Sequence, residues 1–189
     1  STRSSSNNIP RLRYIFPLLP VLYWWEGMFM KGRWFLAFML TALAGTALHF
    51  GYDLCPSPLV GLICPVSESV WEHLKLLYWP FLAAGFVLNR KEDAAQAAWS
   101  GTLAGLLFMP AFLLGVYYTL ESGFAFTAGW LNISLYVLSL ALGFFLAAKL
   151  SKTGALSWLC GVFVILAGLY GAALILFTMA PPALPIFLS

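Results

Sequence analysis

The chain has 189 residues, 61% of them hydrophobic and only 9% charged, with a net charge of +3 and a mean hydropathy of +0.87. A soluble domain carries about a quarter charged residues, so this chain cannot cover itself against water. The same figures exclude disorder, collagen and coiled coil, and no basic stripe outside the flanks of the apolar runs supports nucleic-acid binding. The class they leave is an all-α polytopic membrane helix bundle.

Residues 1–13 read as a disordered basic tail carrying Arg3, Arg11 and Arg13. Residues 14–33 combine Tyr23, Trp24, Trp25 and Phe29 with Pro17, Pro20 and Glu26, and cations flank them on both sides. This segment is read as an interfacial or re-entrant aromatic helix on the cytoplasmic face. The alternative, a sixth span, would force one cationic flank outward. The transmembrane domain then occupies residues 34–189.

Five apolar stretches in that domain can each cross a hydrocarbon core of about 30 Å, which takes roughly 20 residues. They fall near residues 34–51, 70–88, 95–119, 128–148 and 156–179. Backbone groups have no water to bond inside a bilayer, and these runs lack the polar–apolar alternation of barrel strands, so helices are required. Lys31 and Arg33 precede the first span, Arg90 and Lys91 separate the second from the third, and Lys149 and Lys152 lie between the fourth and fifth. Residues 52–69 and 120–127 hold no Lys or Arg. One topology fits every loop: an integral cell-membrane protein with its N-terminus cytoplasmic and its C-terminus outside. Gly101-x-x-x-Gly105 lets helices approach closely and reads as internal packing, with a homodimer face as the alternative. Pro80 and Pro110 are expected to kink their helices.

No C-x-x-C occurs among the three cysteines. Cys160 sits in an apolar run as a small core residue. Cys55 and Cys64 share a loop and can pair if it faces an oxidising compartment.

The unusual chemistry falls between Leu48 and Lys75. His49 ends the first span, with Asp53 about a turn beyond, and Glu68, Glu72, His73 and Lys75 open the second. Both histidines of the chain are here. Ionisable groups in spans are costly and by default mark function. Glu68, Glu72 and Lys75 share one face if the helix already includes Glu68, and His73 is turned about 100° from Glu72. Imidazole with carboxylate suits zinc, iron or manganese, and also suits acid–base work. Each residue also has a plainer structural role: Ser69-x-x-Glu72 is a capping box, Lys75 can pair with Glu68 or Glu72, and Asp53 can turn the loop before Pro56. Tyr117, Tyr118, Thr119, Asn132 and Ser134 are further residues placed at the outer end, and H-E-x-x-H, G-x-S-x-G and Walker motifs are missing.

This window resembles an uncharacterised family of small prokaryotic membrane proteins whose members carry L-H-F-x-Y-[DE] followed by P-V-N-E-S-V-W-E-H-x-K-L. The matching residues are His49, Phe50, Tyr52 and Asp53, then Pro65, Val66, and the run Glu68-Ser69-Val70-Trp71-Glu72-His73-Leu74-Lys75-Leu76. Ser67 replaces the asparagine of the pattern, and Cys55 and Cys64 are not part of it. The likeness runs from about Phe35 to the C-terminus, with the segment before Lys31 extra to it. It implies a membrane fold and a shared outer site, but no reaction.

Three functions are open. The first is a metal-assisted hydrolase acting on a lipid or amphipathic substrate: His49, His73 and Asp53 (or another of the carboxylates) would hold the ion, zinc first among the candidates, with Glu68 or Glu72 as base and Lys75 stabilising negative charge. The second is a proton- or metal-linked protein that binds or carries a small polar ligand. The third is a structural subunit of a membrane complex.

Overall fold

The structure, a computed structural model, describes residues 32–123 and 129–187. The N-terminal tail and nearly all of the aromatic segment lie outside the described residues. Helix α1 runs Gly32–His49 and is followed by two single turns, α2 (Gly51–Leu54) and α3 (Pro58–Gly61). Helix α4 is Val70–Asn89, α5 is Ala95–Tyr118, α6 is Gly129–Thr153 and α7 is Cys160–Met179. The described residues contain no strand. Where the sequence suggests a loop after Thr119, α5 instead widens into a π-helical turn, Thr119–Gly123. Helices α4 and α5 run through Pro80 and Pro110 without ending.

Among the described residues, three segments are long and apolar enough to cross a membrane: Ala95–Gly123, Gly129–Thr153 and Ser157–Met179. They fit a membrane protein. Helices α1 and α4 have 18 and 20 residues, but α1 carries Arg33 and α4 carries Glu72 and Lys75.

The centre of the bundle is aromatic. Phe144 of α6 meets Phe81 of α4 at 4.6 Å between ring centroids, and Phe38 and Trp34 of α1 at 6.0 and 6.4 Å. All three contacts are edge-on, the geometry favoured by ring quadrupoles. Around them Leu77, Leu106, Met109 and Leu140 are fully enclosed. Helix α7 joins through a narrow stripe, Ala167, Gly171 and Leu174. There Tyr78 donates its hydroxyl to the Ala167 carbonyl at 3.0 Å.

The Gly101–Gly105 pair lies against α6. A Cβ on Gly101 would stand 2.4 Å from the Ser151 nitrogen, and one on Gly105 2.5 Å from the Gly143 carbonyl oxygen. Ser151 donates to the Ala98 carbonyl across the same joint. The motif therefore closes an internal helix pair, as small residues at such spacing do.

Apolar side chains also face outward. Phe35, Leu36, Leu40 and Leu43 on α1, and Val164, Ile165, Leu169 and Leu176 on α7, are exposed. A water-soluble monomer does not leave whole helix faces apolar. At one end Arg33 pairs with Glu92, Asn89 donates to Thr102 at 2.9 Å, and Gln96 donates to the Ser157 carbonyl at 3.0 Å. The opposite end holds His49 and the loop that follows it.

Candidate metal centre

Helix α4 begins at Val70, after Glu68, and this start divides the polar cluster in two. Ser69 is the N-cap: its backbone is extended and its Oγ accepts from the Glu72 N–H at 3.3 Å. That is half of the expected capping box. The Glu72 carboxylate does not return to Ser69 but accepts from the Val66 N–H at 2.8 Å.

Glu72 and Lys75 form one group. Lys75 Nζ lies 2.6 Å from Glu72 Oε2, and it also donates to the Gly61 carbonyl at 2.7 Å and the Cys64 carbonyl at 3.3 Å. An ammonium has three protons, and here all three are used. Glu72 Oε1 accepts from Thr178 of α7 at 2.7 Å. One turn further along α4, Trp79 Nε1 donates to the Leu62 carbonyl at 3.2 Å. Residues 72, 75 and 79 lie on one helix face, and that face grips the loop that returns from α3. Both members of the ion pair are buried. Paired, hydrogen-bonded charges of this kind are tolerated in a dry interior, and both Glu72 oxygens meet a donor.

His73 is turned from that face toward α1. Its Nδ1 is 2.8 Å from the Ser69 carbonyl oxygen, which can only accept, so Nδ1 carries the proton and donates. Nε2 is thereby directed to Glu68, at 3.5 Å from Oε2. The His49 ring comes across from α1, 5.1 Å from His73 between centroids and tilted by 40°. His49 Nδ1 is buried with no hydrogen-bond partner. Phe50 closes on the His49 ring edge-on at 5.1 Å.

His49, Glu68 and His73 each present a ligand atom within 4.8 Å of the others. A tetrahedral ion with bonds of 2.0–2.1 Å needs ligand separations of about 3.3–3.5 Å, so the widest separation would draw in by up to about 1.4 Å around an ion. Glu68, whose side chain is 76% exposed, has the freedom to do so. The hydrogen bonds behind the donors also suit a divalent metal. A ligating histidine usually passes its other N–H to a carbonyl or carboxylate, and His73 does this through Ser69. An imidazole nitrogen facing a carboxylate beside a second, unsatisfied imidazole is an arrangement that a cation relieves.

Of the sequence candidates, His49, His73 and Glu68 come together. Asp53 is not in that group; it stands exposed on the short turn α2, and the carboxylate beside the histidines is that of Glu68. Glu72 and Lys75 belong to the buried ion pair. Cys55 and Cys64 are free thiols, exposed and buried respectively. Burial pushes the Cys64 thiol up, against the opposing pull of Lys75. Thr119 and Ser134 bond carbonyls one turn back on their own helices. Sequence reasoning missed Thr178 and Trp79, because a threonine and a tryptophan near the ends of apolar runs carry no distinguishing signal.

The profile of a family described as "Family of unknown function (DUF6512)" matches residues 26–189. The chain belongs to that family. The DUF6512 match starts at Glu26, inside the aromatic segment and ahead of the Phe35 from which the sequence resemblance was drawn, so part of that segment belongs to the family's common region. No curated protein and no solved structure matches the chain. Membership in DUF6512 carries no activity with it, and the chemistry has to be argued from the side chains.

Proposed function

We propose that this is an integral membrane protein in which His49, Glu68 and His73 hold a divalent metal, zinc first among the candidates, that assists hydrolysis of a lipid or another amphipathic substrate. In this reading α1 and α4 join the three more apolar segments as spans, giving five, with the aromatic segment lying at the cytoplasmic face. The distribution of Lys and Arg then puts the N-terminus in the cytoplasm and the His49 end outside. The observation that carries the proposal is the meeting of two imidazoles from separate helices with one carboxylate within 4.8 Å.

The chain's own residues have definite parts. His73 offers Nε2 because Ser69 fixes its tautomer, and His49 supplies the second nitrogen from across the helix pair. Glu68 supplies the anionic ligand from the exposed turn before α4. A bound metal of this kind lowers the pKa of its water to about 7 and polarises an ester oxygen. Glu72 and Lys75 act by holding the loop, with no group free for the substrate. Beneath the site Leu74, Leu77, Phe81 and Leu140 are at most 1% exposed. That closed apolar core argues against passage of a polar ligand through the bundle and sets the carrier reading second.

Metal analysis of the purified protein tests this. Wild type is expected to hold about one zinc per chain, and His49→Ala and His73→Ala to lose it while still folding. Wild-type protein purified with zinc supplied but holding none would overturn the proposal.

A further inference from the structure

The depth of the site can be read from the helices. Arg33 and His49 are 16 residues apart on α1, and His73 and Arg90 are 17 apart on α4 and its C-cap. At 1.5 Å per residue these separations are about 24 and 26 Å. A hydrocarbon core is about 30 Å thick. With both arginines at one boundary, the two histidines lie together about 4–6 Å inside the opposite boundary, just beneath the level where lipid head groups join their chains.

The loop beside them is mostly apolar on its outer side, with Asp53 the exposed charge among residues 50–66. Leu54 and Leu59 are 83% and 77% exposed, and Phe50, Ile63 and Val66 are also exposed. Residues 52–69 contain no Lys or Arg. These side chains have not simply failed to pack. The returning part of the loop, residues 61–66, is fixed from below, where Lys75, Glu72 and Trp79 bond Gly61, Cys64, Val66 and Leu62. A rigid loop that holds large apolar groups outward, continuous with the exposed apolar face of α1, is suited to the chains of the adjoining leaflet.

Resting on the metal reading above, we infer that residues 50–66 insert into the outer leaflet and that the centre acts on a lipid resident in that leaflet, at an ester of carboxylic or phosphoric acid near its head group. The step is hydrolysis. Water's oxygen bonds the acyl carbon or the phosphorus, the ester C–O or P–O bond breaks, and the departing oxygen takes a proton from water. No oxidant or reductant is involved. The exposed Glu68 and the apolar loop lie at the same end of the bundle, so a lipid approaching sideways would bring its head-group linkage to the histidines with its chains still in the bilayer.

The test uses the full chain with zinc in vesicles of phosphatidylcholine and phosphatidylglycerol, with lipid products read by mass spectrometry. A water-soluble short-chain ester and a water-soluble phosphate monoester run in parallel. Vesicle lipid is expected to be cleaved, and Leu54→Ser/Leu59→Ser to lose at least about tenfold on it with bound metal and soluble turnover unchanged. Turnover of a soluble compound with vesicle lipid untouched would overturn the inference and leave the metal reading standing. Loss of bound metal from wild type would instead defeat the metal reading, and the assignment of a lipid substrate with it. A nitroxide at Leu59→Cys, in a Cys55→Ser background, reports insertion without any activity. Oxygen should relax it more than a water-soluble nickel chelate does. The reverse would overturn the inference whatever the metal content.

Discussion

Replacing Lys75 with methionine keeps an unbranched side chain of similar length but removes a charge from a position with no exposure to solvent. Glu72 then keeps the Val66 N–H and the Thr178 hydroxyl but loses its cation. The carbonyls of Gly61 and Cys64 lose the donor they share. Breaking a buried ion pair by removing one partner costs about 3–5 kcal/mol, because the other charge stays behind unpaired. Lys75→Met is expected to lie in that range. The double variant Glu72→Gln/Lys75→Met leaves no charge to strand and should recover about 2 kcal/mol of the loss. The assay is equilibrium unfolding in mixed micelles of wild type, both single variants and the double variant, analysed as a thermodynamic cycle. A Lys75→Met protein within about 1 kcal/mol of wild type would refute the structural account of the pair. If such a protein also lost all turnover, the lysine would have to be moved from the scaffold to the chemistry.

Other outcomes follow from the same geometry. In detergent, Cys55 should react with a maleimide at least about tenfold faster than Cys64, whose thiol is buried and pushed up, and Cys64 should need more alkaline conditions. Mass mapping of the labelled chain checks that ratio. Gly101→Val should cost about 1–3 kcal/mol by overpacking the α5–α6 joint, whereas Gly168→Ala, which meets nothing within 4 Å, should be neutral in the same unfolding assay. Asp53→Ala should keep its zinc, while Glu68→Ala should weaken binding measurably in a competition titration against a chelator, since Glu68 rather than Asp53 stands with the histidines.

The helices were legible in the sequence because long apolar runs bounded by cations leave few other structures. Over the described residues each of the five runs is largely helical, and the Gly101–Gly105 motif packs internally. The start of α4 was the decisive detail. The face shared by Glu68, Glu72 and Lys75 depended on a helix that already included Glu68. With Ser69 as the N-cap, Glu68 falls outside the helix and turns to His73, leaving Glu72 and Lys75 to the loop. Asp53 lies about a turn beyond His49 in the sequence, yet on the single turn α2 it stands at the exposed surface. The capping box was visible but only half is used, because the Val66 N–H competes for the Glu72 side chain. Backbone acceptors such as Gly61 and Cys64 have no signature in sequence at all. The loop's grip on α4 could therefore be found only in three dimensions.

X-ray absorption at the zinc edge, on protein purified with zinc supplied, addresses the metal centre most directly. Two imidazole nitrogens at about 2.0–2.1 Å and a carboxylate oxygen, with about one zinc per chain, are predicted for wild type. His73→Ala should lose that signal. Protein that binds no zinc, or that keeps it unchanged after both His49→Ala and His73→Ala, would contradict the account.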